Sequence, residues 1–128
     1  MRLLLDTCTF LWVAAGSKEL SVNARALFTD PGNEVFLSSA SVWEIVVKHQ
    51  LGKLPLPALP QDFVASNRQA HGIAPLAIDE ESVFHLPRLP DFHRDPFDRM
   101  LVCQAIAHGL TVLTPDDWVR RYPIQTAW

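Results

Sequence analysis

Short apolar runs alternate with longer amphipathic stretches along this chain. Residues 3–5 are continuously apolar, which is typical of a parallel strand that is covered on both faces. Runs of the same kind predict further strands at residues 35–37, 76–78 and 110–113, and residues 124–128 are expected to add one more. The chain therefore has four or five short strands spread from end to end.

Helix start and stop signals fill the intervals between these strands. The first predicted helix ends near Gly16, and Ser21 is the N-cap of the second. A third helix starts between residues 38 and 41 and stops near Gly52, and a fourth runs from Pro60 to about Gly72. Two more are predicted after Asp79 and after Asp95, the last one ending at Gly109.

Alternating strands and helices predict an α/β fold with a mainly parallel central sheet flanked by helices on both faces. The 128 residues match the usual size of one domain, and no repeat or long linker divides them. In sheets of this type the binding crevice lies beyond the carboxyl ends of the strands. The residues that follow the strands are therefore the first candidates for a site.

Four acidic residues fall at that edge of the predicted sheet: Asp6, Glu44, Asp98 and Asp116. Each also has a structural explanation. Glu44 completes an S-x-x-E capping box with Ser41, and Asp98 favours the positive end of a helix dipole. Asp116 fits the cap of a short turn, and Asp6 fits an ordinary residue leaving a strand.

Taken together, these carboxylates are harder to explain structurally. Two carboxylates ~4 Å apart repel by about 4 kcal/mol at an effective dielectric constant of 20. A fold that gathers several of them must protonate some, surround them with cations or bind a metal. Hard oxygen ligands suit Mg²⁺ or Mn²⁺, which would assist the attack of water on a phosphodiester.

Six short stretches, in order over nearly the whole chain, extend this pattern. They are LLLDT (3–7), SASVWEI (39–45), LGKL (51–54), HRDPFDRML (93–101), QA (104–105) and LTPD (113–116). Together they resemble the PIN-domain ribonucleases of the VapC toxin type, and HRDPFDR is the most specific stretch. The resemblance implies a single PIN-like domain over residues 1–128.

The same resemblance implies roles for individual residues. Asp6 and Asp98 would be the direct metal ligands, while Glu44 and Asp116 complete the catalytic pocket. Asp95 becomes a supporting or capping residue. Thr114 is expected to orient an acidic neighbour, and Cys8 departs from the histidine that relatives often carry after Asp-Thr.

By resemblance, the protein is expected to be a Mg²⁺- or Mn²⁺-dependent endoribonuclease and the toxin of a toxin–antitoxin pair. Its expected partners are an RNA substrate, a cognate antitoxin protein and a second copy of itself in a homodimer. A cytoplasmic location is expected, because the chain starts with a strand rather than a targeting segment and contains no apolar stretch of bilayer length.

Several other side chains have two interpretations. Lys48 lies one turn after Glu44 and predicts a salt bridge, with a substrate phosphate as the rival partner. Arg99 fits RNA binding or a structural ion pair equally well. His93 is the only histidine close to the acidic loop, and Trp12, Trp43 and Trp118 are expected to pack in the core or in a subunit contact.

The net charge of −3 argues mildly against a general nucleic-acid binder. Setting aside four of the 14 acidic residues leaves 10 against 11 basic ones, so a metal site would account for the imbalance. Cys8 and Cys103 indicate neither a zinc site nor a disulfide. Two alternatives stay open: a PIN-like domain that binds RNA or a partner without cutting, and a haloacid dehalogenase-type hydrolase. The latter requires a second aspartate at position 8.

Overall fold

The computed structural model describes all residues, 1–128, and contains one sheet of five parallel strands in the order β3-β2-β1-β4-β5. The strands are β1 (Arg2–Leu5), β2 (Glu34–Ser38), β3 (Ile73–Leu76), β4 (Thr111–Leu113) and β5 (Gln125–Ala127). β1 therefore lies at the centre of the sheet, paired with β2 on one side and β4 on the other. The predicted α/β class and parallel sheet are confirmed.

Six α-helices connect these strands: α1 (Thr7–Ala15), α2 (Val22–Thr29), α3 (Ser39–Gln50), α4 (Pro60–His71), α5 (Glu80–Val83) and α6 (Pro96–His108). Single 3₁₀ turns lie at Leu86–Arg88 and Val119–Arg121. Gly16 and Gly109 end α1 and α6 in the left-handed conformation, which glycine adopts without steric cost. None of the helices combines the length and apolarity that crossing a bilayer would require.

The continuous apolar character of β1 reflects its burial on both faces of the sheet. Leu3 and Leu5 point into one apolar cluster, built with α1, α2 and α4, whereas Leu4 points into a second cluster built mainly with α6. All three leucines are fully buried. This alternation explains why residues 3–5 of the strand, which follow the exposed Arg2, are all apolar.

The third strand is the one sheet element that the sequence misplaced. The structure has it at Ile73–Leu76, directly after the end of α4 at Gly72, rather than at 76–78. Pro75 disfavoured a strand there, since proline cannot donate a ladder hydrogen bond. β3 is an edge strand that pairs only with β2, and such a strand accommodates the missing donor.

Candidate active site

The register of the central strands brings three chain segments to one edge of the sheet. Leu5, the last residue of β1, is paired with Leu37 of β2 and with Leu113 of β4. The residues that leave these strands therefore emerge side by side. Asp6 follows β1, helix α3 follows β2, and Thr114 follows β4.

Asp6 is the N-cap of α1 and is held by two hydrogen bonds. The backbone N–H of Thr9 donates to Oδ1 at 2.7 Å, and the Thr114 hydroxyl donates to Oδ2. Burial raises the pKa of the Asp6 carboxyl, and the negative charge of Asp116 raises it further, while the two hydrogen bonds act in the opposite direction. The Asp6 side chain is thus buried, with a hydrogen bond to each carboxylate oxygen.

Thr114 links two of the predicted acidic residues. Its fully buried hydroxyl donates to Asp6 and accepts a hydrogen bond of 3.0 Å from the backbone N–H of Asp116. Asp116 in turn uses Oδ1 to cap the following turn, where it accepts from the N–H groups of Trp118 and Val119 at 2.9 and 3.0 Å. The capping role of Asp116 leaves its Oδ2 without a hydrogen bond inside the chain.

Glu44 lies in the second turn of α3, one turn later than predicted, because the N-cap of this helix is Ser38. The capping-box interpretation with Ser41 is therefore wrong. Instead, Oε1 accepts a 2.7 Å hydrogen bond from the Thr7 hydroxyl, and Oε2 forms the predicted salt bridge with Lys48 at 2.5 Å. These contacts tie α1 to α3 and partly neutralise the buried Glu44 charge.

Asp98 lies in the first turn of α6, as predicted, with Asp95 as the N-cap of that helix. Asp95 Oδ1 accepts from the backbone N–H groups of Phe97 and Asp98 at 2.9 and 3.1 Å. Burial, followed by the negative charge of Asp95, raises the pKa of Asp98 to about 7, although a hydrogen bond from His93 lowers it. In the metal-free protein the Asp98 carboxyl is therefore protonated more easily than an ordinary aspartate.

Arg99 forms no ion pair with the acidic residues and hydrogen-bonds elsewhere. It donates to the carbonyl oxygens of Pro90 and His93 at 3.0 and 3.4 Å and to the Tyr122 hydroxyl at 3.1 Å. These bonds fasten the loop before α6 to the body of the protein. The predicted ion pair of Arg99 is therefore wrong, and its contacts are neutral hydrogen bonds instead.

The four predicted acidic residues form one electrostatic group. Asp116 and Glu44 both raise the pKa of Asp98, and Asp116 also raises that of Asp6. No three His, Cys, Asp or Glu side chains converge closely enough to hold a metal ion by themselves. The carboxylate oxygens suit Mg²⁺, which keeps several waters and binds one or two carboxylates directly.

Cys8 is exposed at the rim of this group and reports on its charge. Burial of the thiol by its surroundings, followed by the charges of Asp6 and Glu44, raises the pKa of Cys8 to about 11. Lys48 opposes this shift only weakly. Three carboxylates, Asp6, Glu44 and Asp98, thus act on Cys8 against one ammonium group, and this excess of negative charge favours the binding of a cation.

Two groups of side chains were missed or only loosely placed from the sequence: the hydrogen-bonding residues Thr7 and Tyr122, and the tryptophans. Thr7 and Tyr122 contact site residues directly, yet neither a lone threonine nor a lone tyrosine carries a signal in a single sequence. Trp43 and Trp118 are exposed rather than packed in the core, whereas Trp12 packs against Trp128 at 5.7 Å. For the first two, the core interpretation is wrong, and the subunit-contact interpretation stays a prediction.

A cleft of about 410 Å³ lies beside the acidic group rather than on it. Trp43 and Phe97, whose rings meet edge to face at 5.0 Å, form part of its wall together with Arg94 and His93. His93 is the residue that the cleft shares with the acidic group, through its contact with Asp98. The cleft thus extends the site with apolar surface.

A second cluster, Asp79, Ser82 and His108, contains the residue types of a hydrolytic triad without its geometry. The Ser82 hydroxyl donates to Asp79 Oδ1 at 2.5 Å, and His108 Nε2 lies 3.2 Å from the same oxygen. In a triad the histidine stands between the other two residues. Here the cluster fastens the start of α5 to the end of α6.

The parallel sheet, its strand order and the acidic edge define a PIN-type protein. The profile described as the PIN domain matches residues 3–124, so this chain belongs to the PIN-domain family, as its sequence motifs predicted. This membership rules out the haloacid dehalogenase alternative.

A named relative is Ribonuclease VapC16 of Mycobacterium tuberculosis. It is 33% identical over 101 residues, which cover 78% of this chain and 67% of the relative. The fold resembles that of VapBC2 from Rickettsia felis bound to a promoter DNA fragment, with a TM-score of 0.74 at 16% identity over 99% of this chain and 98% of the other. The fold also resembles that of DNA-bound VapBC from Salmonella typhimurium, with a TM-score of 0.66 at 18% identity over 99% of this chain and 97% of the other.

Proposed function

We propose that this protein is a metal-dependent endoribonuclease that cleaves RNA phosphodiesters, and that it is the toxin of a toxin–antitoxin pair. The observation that carries the proposal is the strand register, which brings Asp6, the start of α3 and Thr114 side by side at one edge of the sheet. Glu44 and Asp116 lie close enough to Asp98 there for their charges to raise its pKa. The similarity to Ribonuclease VapC16 supports RNA as the substrate.

In this proposal Asp6 and Asp98 are the direct ligands of Mg²⁺ or Mn²⁺. Thr114 and the N-terminus of α1 hold Asp6, while Asp98 Oδ1 accepts no hydrogen bond within the chain and is free for the ion. When bound, the ion stabilises the charge that develops on the phosphodiester.

The remaining acidic residues shape the pocket around that ion. Glu44 is balanced by Lys48, whose ammonium group is partly exposed and able to meet a substrate phosphate. Asp116 Oδ2 is free to accept a hydrogen bond from the attacking water. Asp95 and Thr114 act through their neighbours, as cap and as hydrogen-bond donor.

Antitoxin binding and homodimer formation belong to the same proposal. The structural neighbours are described as VapBC complexes, which supports an antitoxin partner. Exposed apolar side chains, including Trp43 at 58% and Phe84, support a subunit contact. Light scattering would then give twice the 14.4 kDa chain mass, and a monomer at micromolar concentration would contradict the dimer.

Incubation of the antitoxin-free protein with total RNA tests the enzyme assignment. With Mg²⁺ or Mn²⁺ we expect discrete fragments that disappear with EDTA. Asp6→Asn and Asp98→Asn should each lower cleavage about 100-fold or more, since each removes a ligand charge worth several kcal/mol to the transition state. Asp62→Asn, at an exposed position on α4, is the matched control and should cleave normally.

The non-catalytic alternative is favoured by one observation, the lack of three converging ligand side chains. It predicts no cleavage and no Mn²⁺ binding by calorimetry, although circular dichroism shows a folded protein. Cleavage that is retained in Asp6→Asn and Asp98→Asn would instead overturn the assignment of the site.

A further inference from the structure

His93 lies between a carboxylate of the acidic site and a buried phenol. Its Nε2 is 3.2 Å from Asp98 Oδ2, and its Nδ1 is 2.8 Å from the hydroxyl of Tyr122. Arg99 Nη1 lies 3.1 Å from the same hydroxyl. Arg99, Tyr122, His93 and Asp98 are thus connected, in that order, by hydrogen bonds. The first and last of these residues lie on α6.

The direction of every bond in this chain follows from the donors present. A guanidinium group can only donate, so Tyr122 accepts from Arg99. Tyr122 is only 2% exposed, and its single hydroxyl hydrogen needs an acceptor, since a buried donor left unpaired costs about 1–3 kcal/mol. His93 Nδ1 is the only acceptor that this hydroxyl contacts.

The proton of His93 is therefore assigned as well. Because Nδ1 accepts from Tyr122, it carries no hydrogen, and the ring must hold its proton on Nε2. That N–H donates to Asp98 Oδ2. The ring is further restrained by Trp118, which stacks on it at 6.2 Å with an interplanar angle of 14°.

We propose that Arg99, Tyr122 and His93 form a one-way hydrogen-bond chain that fixes the orientation of the Asp98 carboxylate. His93 and Tyr122 are thus positioning residues of the acidic site. His93 holds Oδ2 of Asp98, while the Oδ1 atom accepts no hydrogen bond within the chain and is therefore available to a metal ion. The consequence for metal binding rests on the proposed function, whereas the hydrogen-bond chain itself does not.

The tautomer of His93 is the direct test. Two-bond ¹⁵N–¹H correlation spectra of the metal-free protein should show His93 protonated on Nε2 alone. In Tyr122→Phe, which keeps the ring and its edge contact with Phe92, the Nδ1–H form should become populated. His49, His71, His85 and His108 are controls in the same spectrum, and their tautomers should not change. A wild-type His93 that is protonated on Nδ1 overturns the proposal.

The Mn²⁺ affinity of His93 and Tyr122 variants, measured by calorimetric titration, shows whether these residues orient Asp98 or only pack beside it. We expect Tyr122→Phe to weaken Mn²⁺ binding about tenfold, the usual effect of removing a group that orients a ligand. His93→Gln places an amide N–H near the position of Nε2 and should keep the affinity within about threefold. His93→Asn places it near Nδ1 and should lose affinity as Tyr122→Phe does.

The outcomes distinguish the two proposals. Equal Mn²⁺ affinity in wild type, Tyr122→Phe and His93→Asn would overturn the positioning role, even if the tautomer changes. Wild-type protein that binds no Mn²⁺ would overturn the metal-dependent function, and the hydrogen-bond chain would then be judged by the tautomer alone.

Discussion

Individual side chains at the acidic edge are held in an environment that disfavours their negative charge. Asp98 and Cys8 both have raised pKa values, for the same two reasons: removal from water and nearby carboxylates. Lys48 is the one cation in direct contact with the group. We therefore expect ionisation of Asp98 and Cys8 to lower the free energy of unfolding of the metal-free protein.

One prediction concerns stability and pH. The folded pKa of Asp98, about 7, exceeds the ordinary carboxyl value of about 4. Between these values the folded state binds the extra proton, so stability falls as pH rises through this window, and the full penalty applies above pH 7. As pH rises from 5 to 8, the free energy of unfolding of metal-free Asp98→Asn should therefore increase by roughly 1–2 kcal/mol relative to that of the wild type.

Thermal denaturation in EDTA at several pH values measures this difference. Asp62→Asn, the same change at an exposed carboxyl outside the acidic group, serves as the control. A constant offset between wild type and Asp98→Asn from pH 5 to 8 would show that Asp98 keeps an ordinary pKa.

The second prediction uses Cys8 as a reporter. Since the thiolate is the reactive form, a pKa of about 11 makes this exposed cysteine slow toward iodoacetamide at pH 8. A divalent cation that neutralises Asp6 and Asp98 should lower this pKa and accelerate alkylation several-fold. Cys8→Ser identifies any contribution from the buried Cys103. An unchanged rate with saturating Mg²⁺ would place no ion near Cys8.

Secondary-structure elements contribute their first turns to the site. Asp6 caps α1, Asp95 caps α6 with Pro96 after it, and Asp98 lies one turn further in. The positive end of a helix dipole favours these acids, which partly offsets their mutual repulsion. The same residues therefore serve the helices and the site.

Asp95 separates these two roles. Asp95→Ala should lower stability by about 1 kcal/mol through loss of the cap, whereas Asn is an equally good N-cap and should keep it. Because Asp95→Asn also removes a charge that raises the pKa of Asp98, cleavage should persist in this variant. Urea denaturation and RNA cleavage check the two effects, and loss of cleavage in a stable Asp95→Asn would make Asp95 a ligand.

On the scale of the whole molecule, the site depends on β1 lying between β2 and β4. This order brings Asp6, Glu44 and Asp116 to one edge, although they are distant in sequence. Both apolar clusters hold β1 in place, because its leucines alternate between them. The stability of the sheet and the geometry of the site are therefore linked through a single strand.

Truncation of β1 tests this link. Leu4→Ala leaves a cavity in the cluster beside α6 and should cost about 2–5 kcal/mol. Val22→Ala, at a side chain that is 89% exposed, should change stability by less than about 0.5 kcal/mol. Chemical denaturation compares them, and equal effects would mean that β1 does not anchor the fold.

The sequence by itself determined the elements and most of the acidic site. Apolar runs, caps and terminal glycines located the helices and four of the five strands, because these signals act within a few residues. The sequence misplaced β3. Pro75 is tolerated there because β3 is an edge strand, and only the order of strands in the sheet shows this. Likewise, Ser41 matched a capping box, but the N-cap of α3 is Ser38.

Local contacts such as the Glu44–Lys48 pair were predicted from the sequence, but only the tertiary structure decided the long-range partners of the acidic group. Thr7 reaches Glu44 across 37 residues, Thr114 reaches Asp6 across 108, and Tyr122 reaches His93 across 29. Such contacts leave no periodic or local signal in one sequence, since any buried polar group needs a partner but the chain does not state which. The acidic residues were thus predictable from their positions after strands, whereas the hydrogen bonds that orient them depended on how the elements pack.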